Sequence, residues 1–140
     1  MRKYAIVFVT LLLCVTMLSS CGDLMVSIGE KMSVSQLDSM EAELQDKGYI
    51  CIRADEAETN AFCEGLVAET GLLLDGKITG KIEYQYSDPV TGEAVWGMII
   101  GTTGISDSKA VADAYQETAQ IYGMDISANT YYVQIEYAFD

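Results

Sequence analysis

The stretch KITGKIEYQYSDPVTGEAVWGMIIGTT, Lys77–Thr103, decides the fold of this chain because it contains two strand patterns joined by a turn. In its first half apolar and polar residues alternate, which predicts a strand with one buried side. The apolar positions are Ile78, Ile82, Tyr84 and Tyr86, and the polar positions are Thr79, Lys81, Glu83 and Gln85. The segment Ser87–Glu93 is rich in turn-forming residues. Because Ala94–Thr103 then reads as a second strand, the stretch predicts a β-hairpin.

Further helices and strands are predicted on both sides of this hairpin from the spacing of apolar residues and from start and stop signals. In chain order they are a helix over Ser33–Lys47, a strand over Tyr49–Ala54, a helix from Asp55 to near Gly71, the hairpin, a helix from Ser106 or Asp107 to Gly123, and a strand over Tyr131–Phe139. In the first helix, Ser33 and Gln36 have the spacing of a capping box.

The order after the first helix is β-α-β-β-α-β, the split β-α-β pattern of ferredoxin-like folds. That fold places its first and third strands in the middle of the sheet. Here Tyr49–Ala54 and Ala94–Thr103 are largely apolar on both sides, whereas the other two strands have a polar outer side. We therefore predict an α+β fold, a ferredoxin-like β-α-β-β-α-β sandwich preceded by one extra N-terminal helix. Residues 33–140 are expected to form a single domain.

The beginning of the chain has the pattern of an export signal. Arg2 and Lys3 precede an apolar run from Ala5 to Met17, which is shorter than the ~20 residues of a membrane span. The run leads into Leu18-Ser19-Ser20-Cys21. This segment resembles a bacterial lipoprotein signal. The resemblance implies a signal peptide over residues 1–20, a diacylglyceryl group on the sulfur of Cys21, and a short membrane tether over residues 21–32. The alternatives are an ordinary signal peptide and a short membrane anchor.

Lipidation would place the protein on the cell membrane or the outer membrane, exposed outside the cytoplasm, with the lipid on Cys21 as its membrane contact. The chain carries 8 basic and 21 acidic side chains; without Arg2 and Lys3, six basic ones remain and the mature net charge is −15. Nucleic acid is not expected as a partner, because phosphate binding needs clusters of lysine and arginine. Acidity of this kind favours solubility, with a basic partner as the alternative.

The mature chain has no histidine, and its only cysteines besides Cys21 are Cys51 and Cys63. Their spacing fits neither a redox Cys-x-x-Cys motif nor a zinc site, so no cofactor and no metal is expected. A disulfide between them is permitted in an exported protein. Cys51, however, alternates with Ile50 and Ile52 along a strand and is expected on the opposite side of the sheet from Cys63. We therefore predict two free thiols.

Two loops carry residues that could bind ions. GTTGIS, Gly101–Ser106, joins a strand to a helix N-terminus, where backbone N–H groups could hold an anion. It lacks the lysine of a phosphate-binding loop, and a plain loop with a helix cap is favoured. SDPVTGE offers Asp88, Thr91 and Glu93 as oxygen ligands for calcium. Because the spacing differs from that of a calcium-binding loop, a hairpin turn is favoured.

Two further groups of residues have both a functional and a structural explanation. Asp55, Glu56 and Glu58 could perform acid–base catalysis, but acidic residues are also simply favoured at helix N-termini. The nine tyrosines and Trp96 could form a sugar-stacking surface, but aromatic residues also pack well in strands. The structural explanation is favoured for both groups, so no catalytic residue is predicted.

The first predicted helix has an apolar stripe of its own, formed by Val34, Leu37, Met40 and Leu44. One sheet face of a ferredoxin-like fold is left bare by its two internal helices. On that face we expect Cys51 and Arg53, with Tyr132 nearby, and either Val95 and Ile99 or Trp96 and Met98. We expect the first helix to fold back over this face; the alternative is that it pairs with a second copy or a protein partner close to the membrane.

These observations favour a lipid-anchored protein of the cell envelope that acts as a non-enzymatic binding or protein-interaction module. A protein partner or a homodimer would use the sheet face or the first helix. The alternatives are a small-ligand or metal-binding lipoprotein and a small carboxylate-dependent hydrolase. An acidic loop closed around an ion would favour the metal-binding protein, and convergent acids in a pocket would favour the hydrolase.

Overall fold

The computed structural model describes residues 27–139, which form three helices and five strands. In chain order these are α1 (residues 27–46), β1 (Ile50–Arg53), α2 (Glu56–Thr70), β2 (Ile78–Ser87), β3 (Ala94–Thr102), α3 (Ile105–Tyr122), β4 (Asp125–Ala128) and β5 (Tyr132–Phe139). The strands form one antiparallel sheet in the order β1-β2-β3-β5-β4. The predicted α+β class and the β2–β3 hairpin are confirmed. No helix among the described residues is both long and apolar enough to cross a membrane.

The strand order differs from the predicted ferredoxin-like arrangement. That arrangement would place β1 in the middle of the sheet, but within residues 27–139 β1 is an edge strand that pairs only with β2. Strand β4 was not predicted, because its sequence Asp-Ile-Ser-Ala has only one large apolar residue. It pairs with β5, so β5 is internal rather than an edge. The apolar residues on both sides of β1 therefore do not mark a central strand: Cys51 packs in the core, whereas Ile50 remains exposed.

Helices α2 and α3 cover one face of the sheet. Capping by Asp55 begins α2, and left-handed Gly71 and Gly123 end α2 and α3, all as predicted. Helix α3 begins at Ile105 after Gly104, two residues before Asp107, so the predicted cap at Ser106 or Asp107 was wrong. The core on this face comprises Cys63, Leu66, Leu74, Met98, Ile100, Val111, Ala112, Val133 and Ile135.

Helix α1 covers much of the other face, which confirms that the first helix folds back onto the sheet. Leu37 is fully buried against a cluster formed by Ile82, Tyr84 and Ile99. Met40, Leu44, Tyr49, Cys51, Val95 and Tyr132 pack around this cluster. Of the two sets that could complete this face, Val95 and Ile99 do so, whereas Trp96 and Met98 lie on the opposite face. The domain therefore has two apolar cores, one on each side of the sheet.

The start of α1 differs from its prediction. Ser33 was expected to cap the helix, but the helix already includes residues 27–32, which were assigned to the tether. Ser33 instead lies fully buried on the inner side of α1. Its hydroxyl donates to the carbonyl oxygen of Tyr131 at 2.9 Å and shares a hydrogen bond with the hydroxyl of Thr79. A small polar residue therefore faces the sheet here, and its polar atom is satisfied.

Small residues let α1 lie close to the sheet. A Cβ atom built on Gly29 would stand 2.2 Å from the carbonyl oxygen of Thr103, so only glycine fits at this crossing.

A second glycine, Gly97 of β3, makes room for a side chain of the neighbouring strand. A Cβ atom built on Gly97 would stand 2.0 Å from the ring of Tyr84. Gly97 thus leaves the space through which Tyr84 reaches across β3 toward β5. Hydrophobic periodicity in the sequence does not indicate either role, because a glycine adds nothing to an apolar pattern.

The two cysteines confirm the thiol prediction. Cys51 and Cys63 are both free, and they belong to the cores on opposite faces of the sheet. The pKa of the Cys63 thiol is raised by burial, with further increases from Asp75 and Glu64. The pKa of Cys51 is raised by burial and then by Glu41. Both thiols therefore favour the protonated, unreactive form at neutral pH.

Candidate interaction surface

The predicted lipidation site, Cys21, and the predicted signal peptide over residues 1–20 lie outside the described residues. The acidic group at Asp55 is a helix cap. The carboxylate of Asp55 accepts a hydrogen bond from the Glu58 amide at 2.8 Å, and Glu58 accepts one from the Asp55 amide at 3.4 Å. These carboxylates therefore satisfy the first turn of α2, as the structural explanation predicted.

The segment Ser87–Glu93 is the turn of the β2–β3 hairpin. The Asp88 carboxylate accepts hydrogen bonds from the amides of Val90 at 2.8 Å and Thr91 at 3.4 Å. These hydrogen bonds lower the pKa of Asp88, and the bond from the Val90 amide has the largest effect. The carboxylate thus stabilises the turn from within, which confirms the hairpin reading of this segment.

The segment Gly101–Ser106 spans the end of β3, a two-residue connection and the start of α3, and its residues Thr103, Gly104 and Ile105 line a cavity of about 460 Å³ beside the first described turn of α1. Asp107 also lines this cavity, and its carboxylate accepts a hydrogen bond from the Thr103 hydroxyl at 3.2 Å. A carboxylate at this position disfavours the anion that the helix N-terminus would otherwise attract. Ile28 and Ile105 also line the cavity, so its lining is partly apolar and partly polar, unlike the lining of a phosphate-binding site.

A polar groove that the sequence analysis missed lies where β4 pairs with β5. Asp125 is paired with Glu136 across the two strands, and Gln134 lies on the same side of the sheet. The hydroxyl of Tyr84 donates to Glu136 at 2.7 Å and accepts from Gln134 at 2.7 Å. Within residues 27–139, no three histidine, cysteine or acidic side chains are grouped as a metal site would require. The groove was missed because β4 itself was not predicted.

The large apolar side chains of the sheet that have the highest exposed fractions lie on its edge strand β1. Ile50 is 62 % exposed and Ile52 is 61 % exposed. They point to the face that α2 and α3 cover elsewhere, since Cys51 between them packs under α1. Helix α2 packs against β2, and α3 packs against β3, β4 and β5. Both isoleucines therefore lie beyond the area that these helices cover.

The backbone of β1 also presents hydrogen-bonding groups. Ala54, just after β1, donates its amide to the carbonyl oxygen of Lys81 on β2. Because the direction of these groups alternates along a strand, Ile50 and Ile52 bond to β2, whereas Cys51 and Arg53 direct their amides and carbonyls away from the sheet. Strand β1 can therefore accept an additional strand along its outer edge.

Aromatic residues continue this surface along the sheet. Ile50, Gln85, Trp96 and Tyr137 occupy successive strands at one level of the register. Trp96 and Tyr137 are half-buried, and Phe139 is exposed and packs edge-on against Tyr137, with ring centroids 4.3 Å apart. Ile50, Trp96 and Phe139 line a groove of about 260 Å³. We name Ile50, Ile52, Trp96, Tyr137 and Phe139 the edge surface.

The charges beside the edge surface set its chemistry. Arg53 forms ion pairs with Asp38 and Glu41 of α1, so its charge is neutralised on the other side of the sheet. Glu83, the partner of Ile52 on β2, pairs with Lys81 at 3.2 Å. The chain as a whole carries a formal net charge of −13. A strand that bound here would meet apolar side chains within an acidic surrounding, which favours a basic segment with alternating apolar residues.

No protein-family model matches this chain, and searches among curated proteins and among solved structures find no match.

Proposed function

We propose that this chain is a lipid-anchored protein of the cell envelope, held outside the cytoplasm by acyl chains on Cys21, that acts as a non-enzymatic protein-interaction module. The residues that support the anchor are the basic start, the short apolar run and the Leu18–Cys21 junction. The lipid keeps the domain at the membrane, and the edge surface recruits a partner there.

The exposure of Ile50 and Ile52 on an edge strand carries the interaction part of the proposal. Proteins normally protect sheet edges with charges, prolines or covering elements. The opposite edge, β4, follows this rule with Asp125 and Ser127, whereas β1 exposes two β-branched apolar residues. A partner strand added to β1 would pair with the outward backbone groups of Cys51 and Arg53 and cover the isoleucines.

The partner is a protein with an extended basic segment rather than a second copy of this chain. Two mature chains would approach each other with a charge of −15 each, which opposes their pairing at low ionic strength. The first helix is unsuited to pairing through its apolar stripe, since Leu37 is fully buried against the sheet. The edge surface is therefore the contact that we assign to the partner.

One experiment in the native host tests both parts. Cells producing the full chain are labelled with a fatty-acid analogue, and their intact membranes are cross-linked before detergent extraction. The wild type is expected to carry the label and to appear in a cross-linked complex. Cys21→Ala should lose the label, whereas Ile50→Thr with Ile52→Thr should keep the label and lose the complex. Threonine is suitable because it is β-branched and preserves the strand.

The matched control is Ile121→Thr, which alters another exposed isoleucine, on α3, and should keep both the label and the complex. Equal labelling of the wild type and Cys21→Ala would disprove the anchor. An unchanged complex in the double threonine variant would disprove the role of the edge surface.

A further inference from the structure

A second apolar surface lies at the first described turns of α1. Ile28 is 48 % exposed, Met32 is 50 % exposed, and Ile105 of α3 is 42 % exposed. Ile28 and Met32 are four residues apart and so occupy the same side of α1. Ile28 and Ile105 line the same cavity, so the first described turn of α1 lies beside the start of α3. We name Ile28, Met32 and Ile105 the basal surface.

The charges near the basal surface differ from those of the chain as a whole. The lining of the cavity contains one lysine, Lys77, and one carboxylate, Asp107, and is therefore neutral. Lys31 lies between Ile28 and Met32 on α1, beside Glu30, and Lys109 lies one helical turn after Ile105. Among residues 27–139, Lys31, Lys77 and Lys109 take part in no ion pair. This end of an acidic domain thus offers cations that are not already neutralised.

The chain length places this surface close to the proposed anchor. Only five residues lie between Cys21 and residue 27, where the description of α1 begins, and the six steps from one Cα atom to the next span roughly 21 Å at most when extended. Ile28 follows directly. If Cys21 carries acyl chains in the bilayer, the basal surface lies within a short distance of the headgroups.

The geometry points to a direct contact between the basal surface and the lipid bilayer. We infer that Ile28, Met32 and Ile105 rest at the boundary between headgroups and acyl chains, with the three lysines at the level of the headgroups. Burial of the apolar side chains stabilises this contact, and the lysines reduce the repulsion between the acidic domain and anionic lipids. This inference depends on the proposed lipid anchor.

The contact would orient the domain. Strand β3 ends beside the basal surface and begins at Ala94, next to the hairpin turn Ser87–Glu93. A nine-residue strand is roughly 27 Å long, so the turn is held away from the bilayer. The edge surface continues to Trp96 and Phe139 near that turn. A partner outside the membrane could therefore reach it.

Quenching by brominated lipids tests the inference. The full chain is produced in a host that processes lipoproteins, and its lipidated form is reconstituted into vesicles of phosphatidylcholine and phosphatidylglycerol with brominated acyl chains. Trp96, the only tryptophan, is replaced by phenylalanine. A new tryptophan is then placed at Ile28 or, as the matched control, at Val90 in the hairpin turn, which is 90 % exposed.

The Ile28→Trp chain should lose roughly half of its fluorescence in brominated vesicles, because contact at the acyl boundary brings the ring within ~10 Å of the bromines. The Val90→Trp chain should be unaffected. Met32→Trp replaces Ile28→Trp if circular dichroism shows that the latter does not fold. A lipidated Ile28→Trp chain without quenching, or equal quenching at both positions, would overturn the inference while leaving the anchor intact. A wild-type chain without lipid would instead overturn the proposed function.

Discussion

At the scale of single residues, Tyr84 is the most constrained side chain of the sheet. It is buried, its ring crosses Gly97, and its hydroxyl joins Glu136 and Gln134 on β5. The sequence pattern predicts its inward direction from the alternation of β2. It does not predict the partners, because Glu136 and Gln134 are 52 and 50 residues away along the chain.

Tyr84→Phe should therefore destabilise the domain. The substitution leaves the Glu136 carboxylate without its donor and the Gln134 amide without its acceptor, and we expect the free energy of unfolding to fall by about 1–3 kcal/mol. Urea denaturation measures this change. The control is Tyr122→Phe on the exposed end of α3, which should change stability by less than ~0.5 kcal/mol. Equal stability of the wild type and Tyr84→Phe would contradict the assigned hydrogen bonds.

The same residue predicts a loss of stability at alkaline pH. Burial is the largest effect on Tyr84 and raises its pKa in the folded protein. The hydrogen bond from Gln134 lowers this pKa, whereas Glu136 raises it, and the net change is an increase. An unfolded tyrosine ionises near pH ~10, so above that pH the unfolded chain releases a proton that the folded chain retains. The stabilisation of the folded protein by Tyr84 is therefore fully present below pH ~10 and decreases as the pH rises above that value. Absorbance titration of the phenolates should show a late step that Tyr84→Phe removes.

At the scale of secondary-structure elements, α1 shows how packing overrides local signals. The apolar stripe predicts the helix and its fold-back, but the deepest contacts are made by Gly29, Ser33 and Leu37. Val34, which belongs to the predicted stripe, is 39 % exposed. A hydrophobic pattern identifies Leu37 but assigns no importance to a glycine and a serine. Their role depends on how close the helix axis lies to the sheet.

Two glycine-to-alanine substitutions in helices should consequently have opposite effects. Gly29→Ala puts a Cβ atom against the Thr103 carbonyl oxygen, and we expect it to lower stability by about 1–3 kcal/mol. Gly65→Ala in α2 meets no neighbouring atom within 4 Å and should raise stability by up to ~1 kcal/mol through helix propensity. Thermal unfolding of both variants shows whether each substitution raises or lowers the stability of the domain. A stabilising Gly29→Ala would show that α1 does not lie this close to the sheet.

At the scale of the whole molecule, the net charge of −13 dominates the long-range electrostatics. Repulsion among acidic groups favours the expanded, unfolded chain, and salt screens it, with a Debye length of ~10 Å at 0.1 M. The melting temperature of the protein should thus rise by a few degrees between about 0.02 M and about 0.3 M sodium chloride. A melting temperature that is unchanged or falls would show that ion pairs such as Arg53–Asp38 outweigh the repulsion.

Local patterns in the sequence are enough to predict the α+β class, the hairpin, the cap of α2, the free thiols and the placement of Cys51 and Cys63 on opposite faces. These features follow from local periodicity and from residues close together in the chain. Cys21 stays a sequence-based prediction. Only the tertiary structure decided the strand order, the edge position of β1 and the exposure of Ile50 and Ile52. The alternation in β1 shows that its two sides differ, but whether a helix covers a side depends on elements far away in sequence. The four-residue β4 forms mainly because β5 offers it a partner, so pairing rather than propensity completes the sheet.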